Sequence, residues 1–207
     1  VMNWSQVAGY LGIIAVGACL LMVAGEFDLS IGSMIGFAGM MMAVPSMFLG
    51  IPVWASILLA FVGCMALGWL NGYLVMRTRL PSFIVTLAFM FILRGLTLVL
   101  STHFSNSTIV SGVGDKIAAD PLAHALFQGT TLHGLFSWLA GIGLIEKLPS
   151  GEPVVAGIPK VLLWWLAIAA GAGFVLSRTR FGNWIFTVGG DANAAKNVGV
   201  PVRLVKI

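Results

Sequence analysis

The chain has 207 residues, of which 59% are hydrophobic and only 9% charged, with a net charge of +4. A soluble domain of this size carries roughly a quarter of its residues as charges, so a water-soluble enzyme or binding module is excluded and an integral membrane protein is expected. The apolar runs are continuous and do not alternate, which rules out a β-barrel and leaves an all-α, polytopic transmembrane helix bundle.

Residues 7–24, 31–49, 53–76, 83–100 and 161–177 are each near or above the ~18–20 residues needed to cross a ~30 Å hydrocarbon core, giving about five spans. The first run has no basic residue before it and leads straight into an acidic motif, so it does not read as a cleavable signal. That motif is Gly25-Glu-Phe-Asp-Leu-Ser-Ile-Gly-Ser33, set between runs that carry no charge from Tyr10 to Ala24 or from Met34 to Met76. Charge in hydrocarbon costs about 2.5–3.5 kcal/mol per residue on insertion scales, so Glu26 and Asp28 are expected at a bundle interior, a water-filled path or an interface.

Cys19 and Cys64 lie inside apolar runs and read as small packing residues. The third run carries Ser56, Ala60, Cys64, Gly68 and Gly72 at intervals of four, a ridge that lets helix backbones approach; Gly32-x-x-x-Gly36 repeats the device. Both are expected to serve packing within the bundle, with a dimer interface as the alternative. Asn71 beside the ridge is expected to bridge to a neighbouring helix or line a path. Pro81 stops the third helix and Ser82 can cap the fourth. Thr86 and Arg94 follow on the fourth span, with Arg94 roughly 16 Å along its axis, near mid-membrane. A guanidinium there needs a counter-charge, and the expected partner is Glu26 or Asp28; direct contact with a polar substrate is the alternative.

Residues 101–160 balance Asp115, Asp120, Glu146 and Glu152 against Lys116, Lys147 and Lys160, and are expected as an external segment. Within them Leu132–Ile145 is too short to span and suits an interfacial or re-entrant piece. Asn106-Ser-Thr108 is formally a glycosylation sequon, and His103, His124 and His133 read as ordinary polar loop residues, with no metal-site spacing. Trp164 and Trp165 open the fifth span at the headgroup level. Arg77 and Arg79 follow the third run, and Arg178, Arg180, Lys196, Arg203 and Lys206 follow the fifth. By the positive-inside rule the 77–82 loop and residues 178–207 are cytoplasmic. Membrane topology accounts for the basic tail without nucleic acid. In that tail Gly189-Gly190 is expected to turn the chain, Asp191 to cap a helix over 192–198, and Gly199 and Pro201 to end it. Such punctuation on a helix too short to stand alone suggests docking, with a plain surface connector as the alternative. No nucleotide-binding loop and no nucleophilic triad has a plausible spacing, so catalysis has no support.

Three motifs converge on one family. Gly25-Glu-Phe-Asp-Leu-Ser-Ile-Gly-Ser33, then Asn71-Gly72 with Leu80-Pro-Ser-Phe-Ile-Val-Thr-Leu87 and Leu93-Arg-Gly95, then Phe181-Gly182 with Val188-Gly-Gly-Asp-Ala-Asn-Ala-Ala195 and Gly199-Val200, resemble the ribose/xylose-type permeases of bacterial ABC importers. The resemblance implies a single, multi-pass permease domain over residues 1–207, incomplete at both ends, in the bacterial inner membrane. It implies a monosaccharide (pentose or hexose) as the translocated solute. The implied partners are a second permease copy, cytoplasmic ATP-binding subunits and an external solute-binding protein. No cofactor would bind this chain, because ATP is used by a partner. Gly189, Gly190, Asp191, Asn193, Ala194, Ala195 and Gly199 would form the ATPase coupling contact within residues 178–207. Asp28, Ser30, Ser33, Asn71, Thr86 and Arg94 would form the path or the polar network beside it.

Glu26 stands where the family more often has glycine, and branched-chain amino-acid permeases look less similar at this motif. An ion-coupled secondary transporter using Glu26, Asp28 and Arg94 as a relay, a permease for another small solute such as an autoinducer, and a non-transporting membrane scaffold are the competing expectations.

Overall fold

The computed structural model describes residues 2–148, 151–155 and 157–207. Along the chain run α1 (Met2–Val23), α2 (Ile31–Phe48), α3 (Val53–Thr78), α4 (Ser82–Ser105), α5 (Val113–Ala119), α6 (Pro121–Phe127), β1 (Thr130–Thr131), α7 (His133–Gly141), β2 (Ile158–Pro159), α8 (Lys160–Arg178), α9 (Arg180–Gly190), α10 (Ala192–Asn197) and α11 (Val202–Lys206). Five of these, α1, α2, α3, α4 and α8, are long and apolar enough to cross a membrane, matching the five runs read from the sequence. Their most apolar windows are at most 33% buried within the chain, so lipid and other protein must cover the rest.

The spans form two groups. α2 packs along both α3 and α4, while α1 packs along α8. Small residues set the distances. A Cβ on Gly63 would press on the Met41 methyl at 3.0 Å, and Ser56 and Ala60 are buried, so the first half of the α3 ridge packs as expected. Gly68 faces open space instead, and Gly72 abuts the backbone of Lys206 and Ile207. On α1, a Cβ on Gly9 would meet Val161 at 3.0 Å.

Helix ends follow local chemistry. α3 closes at Arg79, in the left-handed region at φ 59°, with its N–H donating to the Val75 carbonyl. A non-glycine residue there costs roughly 1–2 kcal/mol. Asn106 ends α4 the same way at φ 51°, so the side chain of the formal sequon belongs to a helix cap.

Residues 101–160 are more structured than a loop. α4 extends into them as far as Ser105, α5 and α6 follow, and the antiparallel β1–β2 pair brings the segment back to the start of α8. α7 occupies the stretch expected to be interfacial, and its nine residues are too few to span. Lys160 Nζ donates to the His124 and Ala125 carbonyls, and Trp164 Nε1 donates to the Leu126 carbonyl. His133 bonds Thr130 and His103 lies edge-on to Phe104.

Asp120 joins this segment to the spans. Its carboxylate accepts from the N–H groups of Leu122 and Ala123 at 3.1 Å, capping α6, and from Trp54 N–H at 3.3 Å, at the start of α3. α3 has only Pro52 at its own N-cap, so an acceptor from 66 residues downstream fills the role. The Ala123 N–H holds the Asp120 carboxyl below its usual range against the opposing effect of burial, and the N–H groups of Trp54, Leu122 and Val53 add to the lowering. A carboxyl whose folded pKa is depressed contributes its stability above the unfolded value, about 3.9, and loses it as pH falls through the folded value. Thermal unfolding followed in detergent should therefore show a wild-type midpoint that drops below about pH 4, with Asp120→Asn already lower at neutral pH and less steep in acid. Identical wild-type and variant profiles would refute the double cap.

Candidate functional site

The acidic motif and the start of α4 are built into each other. Ser82 Oγ accepts from Phe27 N–H at 3.0 Å and Thr86 Oγ1 accepts from Leu29 N–H at 3.1 Å. Thr86 also donates within its own helix, toward the Ser82 carbonyl at 2.9 Å. Two amides of a non-helical stretch at the end of two spans thus find acceptors, each worth about 0.5–1.5 kcal/mol net. Asp28 Oδ1 accepts from both Ser30 N–H and Ser30 Oγ at 2.6 Å, a turn that closes just ahead of α2. Asp28 is thus held within its own turn, and Ser30, the residue before α2, is fully buried behind it.

Beyond this junction α2 and α4 flank a cavity of about 850 Å³. Gly32, Ser33, Gly36 and Gly39 line one wall, and Arg94, Thr97 and Ser101 line the other. Gly32-x-x-x-Gly36, expected to serve packing, instead faces space: a Cβ on Gly32 or Gly39 would meet nothing within 4 Å, and one on Gly36 would meet only Thr97, at 3.7 Å or more. Removing side chains from one face of α2 makes room while the helix stays intact. Thr97 bonds its own Leu93 carbonyl at 2.7 Å, and Ser101 Oγ donates to the Ser107 carbonyl at 2.6 Å.

Several expected site residues take other places. Arg94 forms no ion pair among the described residues, and its side chain lines the cavity. The expected pairing fails because both carboxylates are already engaged: Asp28 within its turn, Glu26 with Lys206 Nζ. For the same reason Glu26, Asp28 and Arg94 assemble no relay. Thr86 and Ser30 belong to the junction and not to the cavity wall. Asn71 was expected to bridge or to line a path; it is 6% exposed, does neither, and both of its amide atoms lack a partner. The cost is about 1–3 kcal/mol for each buried unsatisfied group.

Below the junction the tail folds back onto it. Thr179 ends α8 by donating to the Val175 carbonyl and begins α9 by accepting from Gly182 N–H at 3.1 Å. α9 was missed in the sequence, where Gly189-Gly190 was read as a turn; the helix runs through both glycines. Its buried residues, Gly182, Ile185 and Val188, fall on one face at three-residue spacing. Gly189 stays helical because that face meets the end of α1, where a Cβ would overlap the Val23 carbonyl oxygen and where Gly25 approaches in turn.

α10 then starts at Asp191, whose carboxylate accepts from Asn193 N–H at 2.7 Å and Ala194 N–H at 3.0 Å. It ends in a Schellman motif: Val200 N–H donates to the Ala195 carbonyl and Gly199 N–H to the Lys196 carbonyl, with Gly199 at φ 83°. Gly190, Asp191, Asn193, Ala194 and Gly199 are exposed, whereas Ala195 is fully buried and Gly189 is packed on α1. The Glu26–Lys206 pair, 15% and 17% exposed at its side chains, closes the loop from α11 back to the acidic motif. No local sequence signal pointed to Lys206, because the two charges are 180 residues apart.

A bundle with five candidate membrane spans, a cavity between two of them and a capped helix fastened to the junction beneath it is the architecture of a polytopic helical membrane protein. The chain belongs to the family described as branched-chain amino acid transport system / permease component, whose model matches residues 1–207. It is 33% identical over 195 residues to the inner membrane ABC transporter permease protein YjfF of Escherichia coli K12, covering 94% of this chain and 50% of that protein. It is 30% identical over 208 residues to the ribose import permease protein RbsC of the same strain, covering 99% of this chain and 54% of that protein. With the xylose transport system permease protein XylH the identity is 28% over 240 residues, covering all of this chain and 60% of XylH. The chain therefore spans about half to three fifths of these relatives' length. No solved structure matches it.

Proposed function

We propose that the chain belongs to a permease that carries a monosaccharide, a pentose or hexose, across the bacterial inner membrane as the membrane subunit of an ATP-binding-cassette importer. The carrying observation is the cavity between α2 and α4, an uncharged glycine wall facing Arg94, Thr97 and Ser101. Hydroxyls and a guanidinium spaced along an otherwise apolar lining suit a neutral polyol that must enter and leave without tight binding. The relatives named for ribose and xylose transport agree with that chemistry. The subunit performs no bond chemistry itself: ATP is bound and hydrolysed by cytoplasmic partners that meet the exposed face of α10, the solute arrives from an external binding protein, and a second permease copy completes the path. On this reading residues 101–160 are external and 178–207 cytoplasmic, in line with the basic residues that follow α3 and α8.

The cavity is open to a direct test. Gly39→Phe places a ring where a Cβ meets nothing within 4 Å, so the helix tolerates it and the path narrows. Uptake of labelled ribose and xylose by the full-length importer in proteoliposomes should fall at least roughly tenfold, about 1.4 kcal/mol on the transport barrier, with the thermal midpoint unchanged. Unaltered uptake with a normally folded variant would remove the α2–α4 cavity from the path. An uptake that follows a proton gradient and ignores ATP would overturn the importer class.

A further inference from the structure

A second cavity, of about 810 Å³, lies at the end of the bundle opposite α5 and α6, between the α3–α4 turn and the tail. Its wall carries Arg79, Lys196, Arg203 and Lys206 against one carboxylate, Glu26. Lys206 and Glu26 neutralise each other, and Arg79, Lys196 and Arg203 form no ion pair among the described residues. Arg203 also borders a smaller adjoining cavity, of about 320 Å³, lined by Tyr73, Met76 and Arg77. Basic residues from α3, its terminal turn, α10 and α11 thus converge on one place with no matching acid.

Membrane topology explains why lysine and arginine occur on this side of the bundle, but not why three of them line one concavity. Arg79 sits at the left-handed closing residue of α3, where glycine is the easier choice, and this puts a guanidinium on the cavity wall. Ser82 and Asn193 add a hydroxyl and an amide, and the rest of the lining is apolar, with Val75, Met76, Leu80, Pro81, Val200 and Val202 among it. The depth also fits. α3 has 26 residues, about 39 Å of helix, against a hydrocarbon core of ~30 Å, so its last turns and Arg79 reach the headgroup layer.

We propose that this cavity binds a phosphate group, held by Arg79, Lys196 and Arg203, and that the phosphate is that of an anionic phospholipid in the cytoplasmic leaflet. Guanidinium groups present paired donors matched to phosphate oxygens, and basic pockets between helices on this side of a membrane are suited to lipid headgroups. Because α10 and α11 supply two of the three cations, lipid bound here would hold the tail against the α3–α4 turn. The site stands apart from the α2–α4 cavity and does not depend on which solute crosses.

The test uses the full-length permease in nanodiscs of phosphatidylcholine alone or with phosphatidylglycerol. The wild type should gain several degrees in thermal midpoint with the anionic lipid and retain bound phosphatidylglycerol in native mass spectrometry. Arg79→Gly, which suits the backbone, combined with Lys196→Gln and Arg203→Gln, should lose most of both. Arg178→Gln, a charge removed outside the cavity, should keep them. A midpoint shift with inorganic phosphate in phosphatidylcholine discs, lost in the triple variant, would support the phosphate site with a soluble anion as its source. An unchanged lipid response in the triple variant would overturn the proposal. So would normal lipid retention combined with lost binding of the ATP-binding subunits, which would make the cavity a protein dock.

Discussion

Replacing Ala194 by glutamate is expected to cut ATP-driven uptake by the full-length importer sharply while leaving the chain inserted and folded. Ala194 is exposed on a helix held rigidly at both ends, by the Asp191 cap and the Gly199 Schellman turn, so a longer charged side chain projects outward without disturbing α10. A partner seated on that face would have to bury the charge or move away. Coupling energies between sites are typically about 1–3 kcal/mol, so a loss of roughly tenfold or more in uptake and in solute-stimulated ATP hydrolysis is the expected scale. Ala195→Glu provides the contrast. Ala195 is 0% exposed, and a carboxylate there has no room and no partner, so the tail should unfold from the bundle and protease sensitivity should rise. Normal uptake in Ala194→Glu would sink the coupling role of α10.

Gly189→Ala should be nearly as damaging by a different route. The added methyl would meet the Val23 carbonyl oxygen, a backbone atom that cannot rotate away, so α9 must move off the end of α1. Overpacking of this kind costs typically about 1–3 kcal/mol. Uptake should fall together with thermal midpoint, because the same contact aligns α10 beneath the junction. Gly190→Ala, one residue on, meets nothing within 4 Å and gains helix propensity, so its midpoint should hold or rise. Equal effects at the two glycines would mean that the close approach carries no weight.

The five spans were legible because length and hydropathy alone decide them, and the α10 caps because each is written in consecutive residues. What a helix faces was not legible. Gly32-x-x-x-Gly36 reads as a packing motif in any apolar run, and only the position of α4 shows it to be a cavity wall. Arg94 stands out in the sequence as a lone guanidinium in an apolar run, but its partner was inferred from a shortage of acids, and the sequence could not reveal that Lys206 takes Glu26 first. α9 escaped because two successive glycines are the strongest local turn signal; the tertiary contact with Val23 overrides it. Asn71 was expected to bridge or to line a path, and among the described residues its amide finds no hydrogen-bond partner.

The pairing of α1 with α8 bears on how the chain is made. α2, α3 and α4 emerge in succession and can associate as soon as each leaves the insertion machinery. α1 cannot, since its partner begins only at Lys160. At ~5–20 residues per second, synthesis of the intervening chain takes on the order of 10 s. Throughout that interval α1 lacks the span it packs against, and only 6% of its apolar window is buried among the described residues. The order of synthesis and the order of assembly therefore differ: α1 precedes α2, α3 and α4 in the chain, yet its packing partner α8 arrives after them.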